Sequence, residues 1–174
     1  MRQLTLPGIA ALAALAVLAA CTQAPMNSGR GGYRTPGKLY SLAGFQPKRL
    51  AGSWHEVAGF YDPSRQSCAL GLTGAKTTAT GLEVTLSSCA GPAATVAAPQ
   101  IVPGRFAPDL ADARGETWYV LWVDADDRTV VIGTPSGRWG AILNRQPQIP
   151  ADRLGAAKRI LEFNGYDLSR LQPH

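Results

Sequence analysis

The feature that most constrains this chain is a succession of short β-like runs with no helical period among them. Trp54 to Tyr61, Cys68 to Gly74, Leu82 to Ser88, Thr117 to Asp124, Thr129 to Thr134 and Trp139 to Asn144 are rich in β-branched, aromatic and apolar residues, with turn-forming residues between them. Several short strands at such spacing predict a sandwich or a barrel. WYVLWVD and RTVVIGT, joined through Ala125-Asp126-Asp127, predict an antiparallel hairpin, and the two runs flanking AKTTATG predict another, centred between Thr78 and Ala79. Between Ala90 and Gly115 the chain is rich in Ala and Pro, and strands are expected only near Thr95 and Phe106. One helix is marked after Pro150: Asp152 lies in its first turn, Leu154, Ala157, Ile160 and Leu161 share a face, and Asn164-Gly165 ends it. Being amphipathic, it is expected to pack outside the β structure.

The N-terminal region has a different character. Arg2 precedes an uncharged apolar stretch from Leu4 to Ala20, the order of parts of a secretory signal, and shorter than the ~20 apolar residues of a membrane span. Leu18-Ala19-Ala20-Cys21 resembles a bacterial lipobox, whose cysteine thiol takes a diacylglycerol. Two or three acyl chains, at ~0.8 kcal/mol per buried CH₂, would anchor the chain stably. Thr22, which is not Asp, favours the outer membrane with the protein facing the periplasm. The expected organisation is a signal peptide over 1–20, a flexible tether over 21–38 beginning at lipidated Cys21, and one folded domain over 39–174.

A pI near 9.4 suggests nucleic acid until the charges are located. No acidic residue precedes Glu56, so Arg30, Arg34, Lys38, Lys48 and Arg49 give the segment after Cys21 a charge of +5, whereas residues 56–174 carry −1. The basic excess sits beside the anchor. It either draws the segment to anionic headgroups, at ~1 kcal/mol per basic residue, or is a solvated tether with no specific role; neither reading calls for nucleic acid.

Export would place Cys68 and Cys89 where disulfides persist. Folding the hairpin about its expected centre sets residue 68 opposite residue 89, and closing a loop of this length would contribute ~3 kcal/mol. Two thiols without a His cluster fall short of a zinc shell.

Gly52-Ser53-Trp54-His55-Glu56-Val57-Ala58, preceded by Phe45-Gln46-Pro47-Lys48-Arg49-Leu50, resembles the first motif of the lipocalins. WVDADDRTVVIGTP, containing Asp124, resembles the second, and AILNRQPQIP, containing Arg145, the third. The closing helix and YDLSRL are similar to the lipid-anchored bacterial branch of that family. The resemblance spans Phe45 to Leu171 and departs from the pattern at His55, where Tyr is common, and over Ala90 to Gly115. It implies an all-β fold: an eight-stranded antiparallel up-and-down barrel with one C-terminal α-helix packed outside. It further implies a structural role for Gly52, Trp54, Asp124 and Arg145, with the Arg145 guanidinium stacked on Trp54, a contact worth ~0.5 to 2 kcal/mol.

Strand alternation puts Trp54, Glu56, Ala58 and Phe60 on one face, which the resemblance turns inward, and puts Trp118, Val120 and Trp122 together on one face. With Trp139, these are the expected ligand-binding residues: Glu56, Ala58, Phe60, Trp118, Val120, Trp122 and Trp139. Glu56 either meets a polar headgroup or is satisfied by neighbouring groups. A barrel of this size holds one small ligand, and the family association implies a fatty acid such as palmitate, or a lysophospholipid, that is bound, stored or transferred in the cell envelope.

Two other classes compete. An enzyme needs a nucleophile and base in contact, but His55 is expected to face outward, His174 closes the sequence, and Gly-x-Ser-x-Gly is absent. No catalytic residue, metal or cofactor is expected. A non-binding scaffold would need bulky side chains at every inward position, whereas the many Ala, Gly and Thr residues are expected to leave space. The oligomeric expectation is a monomer or weak dimer.

Overall fold

The computed structural model describes residues 32–60, 71–87, 92–111 and 115–174. Cys21, Cys68 and Cys89 lie outside the described residues, and with them the lipidation site and the disulfide.

Ten strands among the described residues form one antiparallel sheet: β1 (Gly52–Ser53), β2 (His55–Gly59), β3 (Leu72–Thr78), β4 (Gly81–Leu86), β5 (Ala94–Val102), β6 (Arg105–Phe106), β7 (Trp118–Val123), β8 (Thr129–Gly133), β9 (Gly140–Asn144) and β10 (Gln172–Pro173). Their order is β1-β3-β4-β5-β6-β7-β8-β9-β2-β10. β1 pairs with β3 while β2, beginning two residues after β1 ends, pairs with β9. The sheet therefore curls into a half-barrel, with Trp54 between the short strands that reach its two margins.

The count is ten where eight were expected. The first stretch is interrupted at Trp54, and the C-terminal Gln172–Pro173 adds to the outer side of β2. Pro173 lacks an amide donor, which suits it to such an edge. The β3–β4 turn is Ala79-Thr80, with Thr78 opposite Gly81, one position beyond the expected centre. A register shift between Leu72 and Gly74 changes the pairing again toward residue 71.

Two apolar layers divide the molecule. On the concave side, Leu82, Val84 and Leu86 alternate with more exposed positions along β4 and join Leu72, Ala98, Phe106, Val130, Ile132 and Leu143. On the convex side, α1 (Ala151–Phe163) lays Ala157 and Leu161 over Val131 and Ile142. β8 and β9 are consequently buried at every residue, whereas β5, which α1 does not cover, is largely exposed. The helix follows Pro150 and ends at Asn164, as the sequence indicates. Gly165, at φ 83°, supplies the left-handed turn that brings Tyr166 back onto the sheet.

Ordered contacts begin before Leu39. Arg34, expected in the tether, is buried because its guanidinium meets a cluster of carbonyls: Nε donates to Asn164 at 3.0 Å and Nη1 to Pro135 at 2.7 Å, and Nη2 reaches Gly37 and Lys38. Tyr33 packs on Phe60 with ring centroids 5.3 Å apart.

Candidate functional site

The concave face has two ends of opposite construction. At the floor, the three motifs meet. Trp54 Nε1 donates to the Leu50 carbonyl at 2.7 Å, and the Arg145 guanidinium lies 3.6 Å from the centre of the Trp54 ring. The same guanidinium donates to the carbonyls of Asp127 (3.0 Å), Ser53 (3.0 Å) and Arg49 (3.1 Å). Burial lowers the Arg145 pKa, with the nearby Asp127 carboxylate acting in the opposite direction. Gly52 stands at φ 105°, and a Cβ there would lie 3.0 Å from Arg145 Nη1, so glycine serves both the backbone and the close approach.

Asp124 organises the β7–β8 turn. Its carboxylate accepts from the amides of Arg128 (2.6 Å) and Thr129 (2.8 Å) and from Arg128 Nε (2.9 Å). Burial alone would raise its pKa, but these hydrogen bonds outweigh it and hold the pKa below the ordinary value. Arg49 joins the turn to the segment before β1 through Asp127, at 2.6 Å. Gly52, Trp54 and Arg145 meet directly, and Asp124 is joined to them through Arg49, whose Nη2 donates to the Asp124 carbonyl at 3.2 Å.

At the other end, which we call the mouth, Trp118 opens β7 and Trp139 precedes β9. Their rings lie 5.0 Å apart, inclined at 34°. Trp118, Val120 and Phe106 are wholly excluded from water, and Trp139 is 4% exposed. The concave layer is thus shielded from water, and small residues such as Ala75, Ala98 and Ala141, interspersed among Leu, Phe and Trp, are buried with it.

The expected ligand-binding residues divide. Glu56, Trp118, Val120 and Trp139 belong to the concave side; Ala58, Phe60 and Trp122 do not. A register shift between Glu56 and Ala58 leaves Val57 as an extra residue, so that Glu56 faces the same way as Leu143 while Ala58 faces the helix side with Ile142. A second shift, between Val120 and Trp122, leaves Leu121 extra and turns Trp122 to the helix layer with Val131. A bulge adds one residue, and a one-residue slip exchanges the faces beyond it. Phe60, past the first bulge, stacks at 5.0 Å on Tyr166, beneath the returning chain.

Glu56 is inward by register, yet its carboxylate is already engaged. His174 Nε2 lies 3.2 Å from Oε1, and the His174 amide donates to the Val57 carbonyl at 3.1 Å. A Cβ at either Gly59 or Gly71 would collide with the carboxylate. The C-terminal segment, not visible to strand alternation, therefore supplies Glu56 with a neighbour.

Tyr166, absent from the expected residues, proves central to the convex side. Its hydroxyl accepts from the Thr134 amide at 2.9 Å and lies 3.0 Å from the Trp139 carbonyl, over Gly133 and Gly140, where a Cβ would crowd it. Burial pushes its pKa up to about 12. The Gly-Tyr pair after the helix was its sequence signal, since an aromatic just past a helix-ending glycine can fold back onto the layer the helix covers.

No curated protein sequence matches the chain. A family model described as a lipocalin-like domain matches residues 103–174, from the β5–β6 turn onward. Among solved structures, the chain is similar to the bovine lipocalin allergen Bos d 2, with a TM-score of 0.56 at 11% identity over 74% of this chain and 94% of that one. At that identity the likeness concerns the fold alone. The curled antiparallel sheet, the C-terminal helix and the Trp54–Arg145 floor together make this a lipocalin-like fold.

Proposed function

We propose that the chain is a membrane-anchored carrier that binds, stores or transfers a fatty acid or lysophospholipid in the bacterial cell envelope, held there through Cys21. The observation that carries the reading is the concave layer, where Phe106, Trp118, Val120 and Trp139 meet as an apolar, aromatic surface at the mouth. Such a surface suits an acyl chain, which gains ~0.8 kcal/mol per CH₂ removed from water. Because these side chains are packed against one another, the ligand enters by parting the Trp118–Trp139 pair. The two rings meet at 5.0 Å, inclined at 34°.

The burial of these side chains also favours a second reading, an envelope scaffold that binds nothing small. One experiment separates them. Mature protein purified without delipidation and examined by native mass spectrometry retains a lipid adduct if it is a carrier, and fatty-acid titration changes its tryptophan emission. Absence of both results supports the scaffold.

A further inference from the structure

From the place where the tether meets the domain, we infer that the mouth end, led by Phe163, docks against the bilayer surface. This rests on the anchored-carrier reading above. The described chain starts beside the β8–β9 loop: Tyr33 donates its amide to Gly137 at 2.6 Å, Arg170 Nη1 reaches the Gly32 carbonyl at 3.4 Å, and a Cβ on Gly32 would strike the Ser136 carbonyl. That loop carries Trp139 and is tied to the residues before β7 by Ser136 Oγ donating to Glu116 at 2.6 Å. The tether thus joins at the mouth, and the floor lies at the opposite ends of β7, β8 and β9.

The second observation is independent of the tether. Phe163, the last residue of α1, is 85% exposed, the most exposed large apolar side chain among the described residues. It adjoins Asn164, whose carbonyl accepts from Arg34, and Gly165, whose carbonyl accepts from the Thr35 amide at 2.8 Å. An aromatic ring left in water beside the attachment point of an acylated tether has a partner at hand in the interfacial region of the bilayer, where aromatic rings are favoured. Arg138, exposed in the β8–β9 loop, and Arg170 lie at the same end and can meet lipid phosphates; Glu116, Glu162 and Asp167 lie there too, so net charge does not select this face, and the exposed Tyr40, Ile101 and Val102 near the β5–β6 turn lie away from the tether's attachment.

Docking by the mouth sets the Trp118–Trp139 pair next to its lipid supply.

The test uses the lipidated full chain in phosphatidylethanolamine and phosphatidylglycerol vesicles, mixed three to one, with bromine atoms on the acyl chains as a contact quencher. Trp54, Trp118 and Trp139 are buried, and Trp122, which is partly exposed, is replaced by Phe throughout so that the background is shielded. Phe163→Trp adds an exposed reporter at the mouth, and Ala125→Trp adds one in the β7–β8 turn at the floor. The emission added at position 163 should be lost to bromolipid and that at position 125 retained. With the Cys21 acyl group verified by mass, an unquenched reporter at 163, or one at 125 quenched as strongly, overturns mouth-first docking alone. A Cys21 without acyl chains overturns the anchored reading and the docking with it.

Discussion

The floor and the mouth of the concave face are both closed by tryptophan, but by different forces. Trp54 is fixed by directional contacts: its indole N–H is hydrogen-bonded, its face carries Arg145, and Arg145 is held by three carbonyls from separate parts of the chain. Trp118 and Trp139 meet ring to ring, a contact worth ~0.5 to 1.5 kcal/mol beyond its area burial. The Trp139 backbone is pinned, with Thr134 Oγ1 donating to its carbonyl at 2.9 Å. The difference teaches where the proposed ligand entry can be tested: against the mouth pair, with the floor as its control.

The largest expected effects test this contrast directly. Trp54→Ala should destabilise the domain by ~3 to 5 kcal/mol, because it removes a large buried ring and exposes the apolar side of the Arg145 stack. Trp118→Ala should cost a similar ~3 to 5 kcal/mol by the same cavity argument. The two part company on adding palmitate. A ligand at a hundred times its Kd restores ~2.7 kcal/mol by mass action, and denaturant titration should find that recovery in Trp118→Ala, whose cavity lies on the proposed entry path. Trp54→Ala should remain at the floor's deficit beyond whatever the unaltered chain gains. Equal rescue of both would erase the distinction.

Next in size, Arg145→Lys should lose ~2 kcal/mol, since an ammonium can neither cover the Trp54 ring with a planar face nor reach three carbonyls in a fork. Palmitate affinity, measured on the folded fraction, should stay unchanged.

Smaller effects carry pH signatures. Tyr166→Phe should cost ~1 kcal/mol by leaving the Thr134 amide without its acceptor. Burial raises the tyrosine pKa from 10.0 to about 12, so its neutral form stabilises the fold fully below pH 10, and that contribution is lost as pH rises from 10 toward 12. The variant should lack this part of the alkaline destabilisation. Asp124→Asn should cost ~1 kcal/mol near neutrality through the weakened turn. Its depressed pKa has the opposite sign: the contribution is present above the ordinary value of 3.8 and lost as pH falls through the lower folded value. Acid unfolding curves of the variant should be correspondingly flatter.

The two ends also differ in how legible they were. The floor could be read because its parts are local: a glycine two residues before a tryptophan, an aspartate in a hairpin turn and an arginine closing a strand each carry their own pattern. Strand parity grouped Trp118 with Val120 without deciding which face they take, and the helix, with its stop at Asn164-Gly165, stood out by period and capping. Ala58, Phe60 and Trp122 were misplaced for one reason. Val57 and Leu121 are ordinary strand residues, and nothing in their chemistry announces that each is an extra residue in its ladder; the pairing partner decides it. Long-range contacts were hidden for a related reason. Arg34 meeting Asn164 and Pro135, and His174 meeting Glu56, join segments more than a hundred residues apart, where no periodicity connects them.

The most direct test labels the chain with 5-fluorotryptophan, giving one fluorine resonance for each of its four tryptophans, assigned by single Trp→Phe variants, and follows all four during palmitate titration. The account predicts that the Trp118 and Trp139 resonances shift together and saturably while that of Trp54 holds its position. Four unmoved resonances, or a Trp54 resonance that shifts as far as the other two, would contradict it.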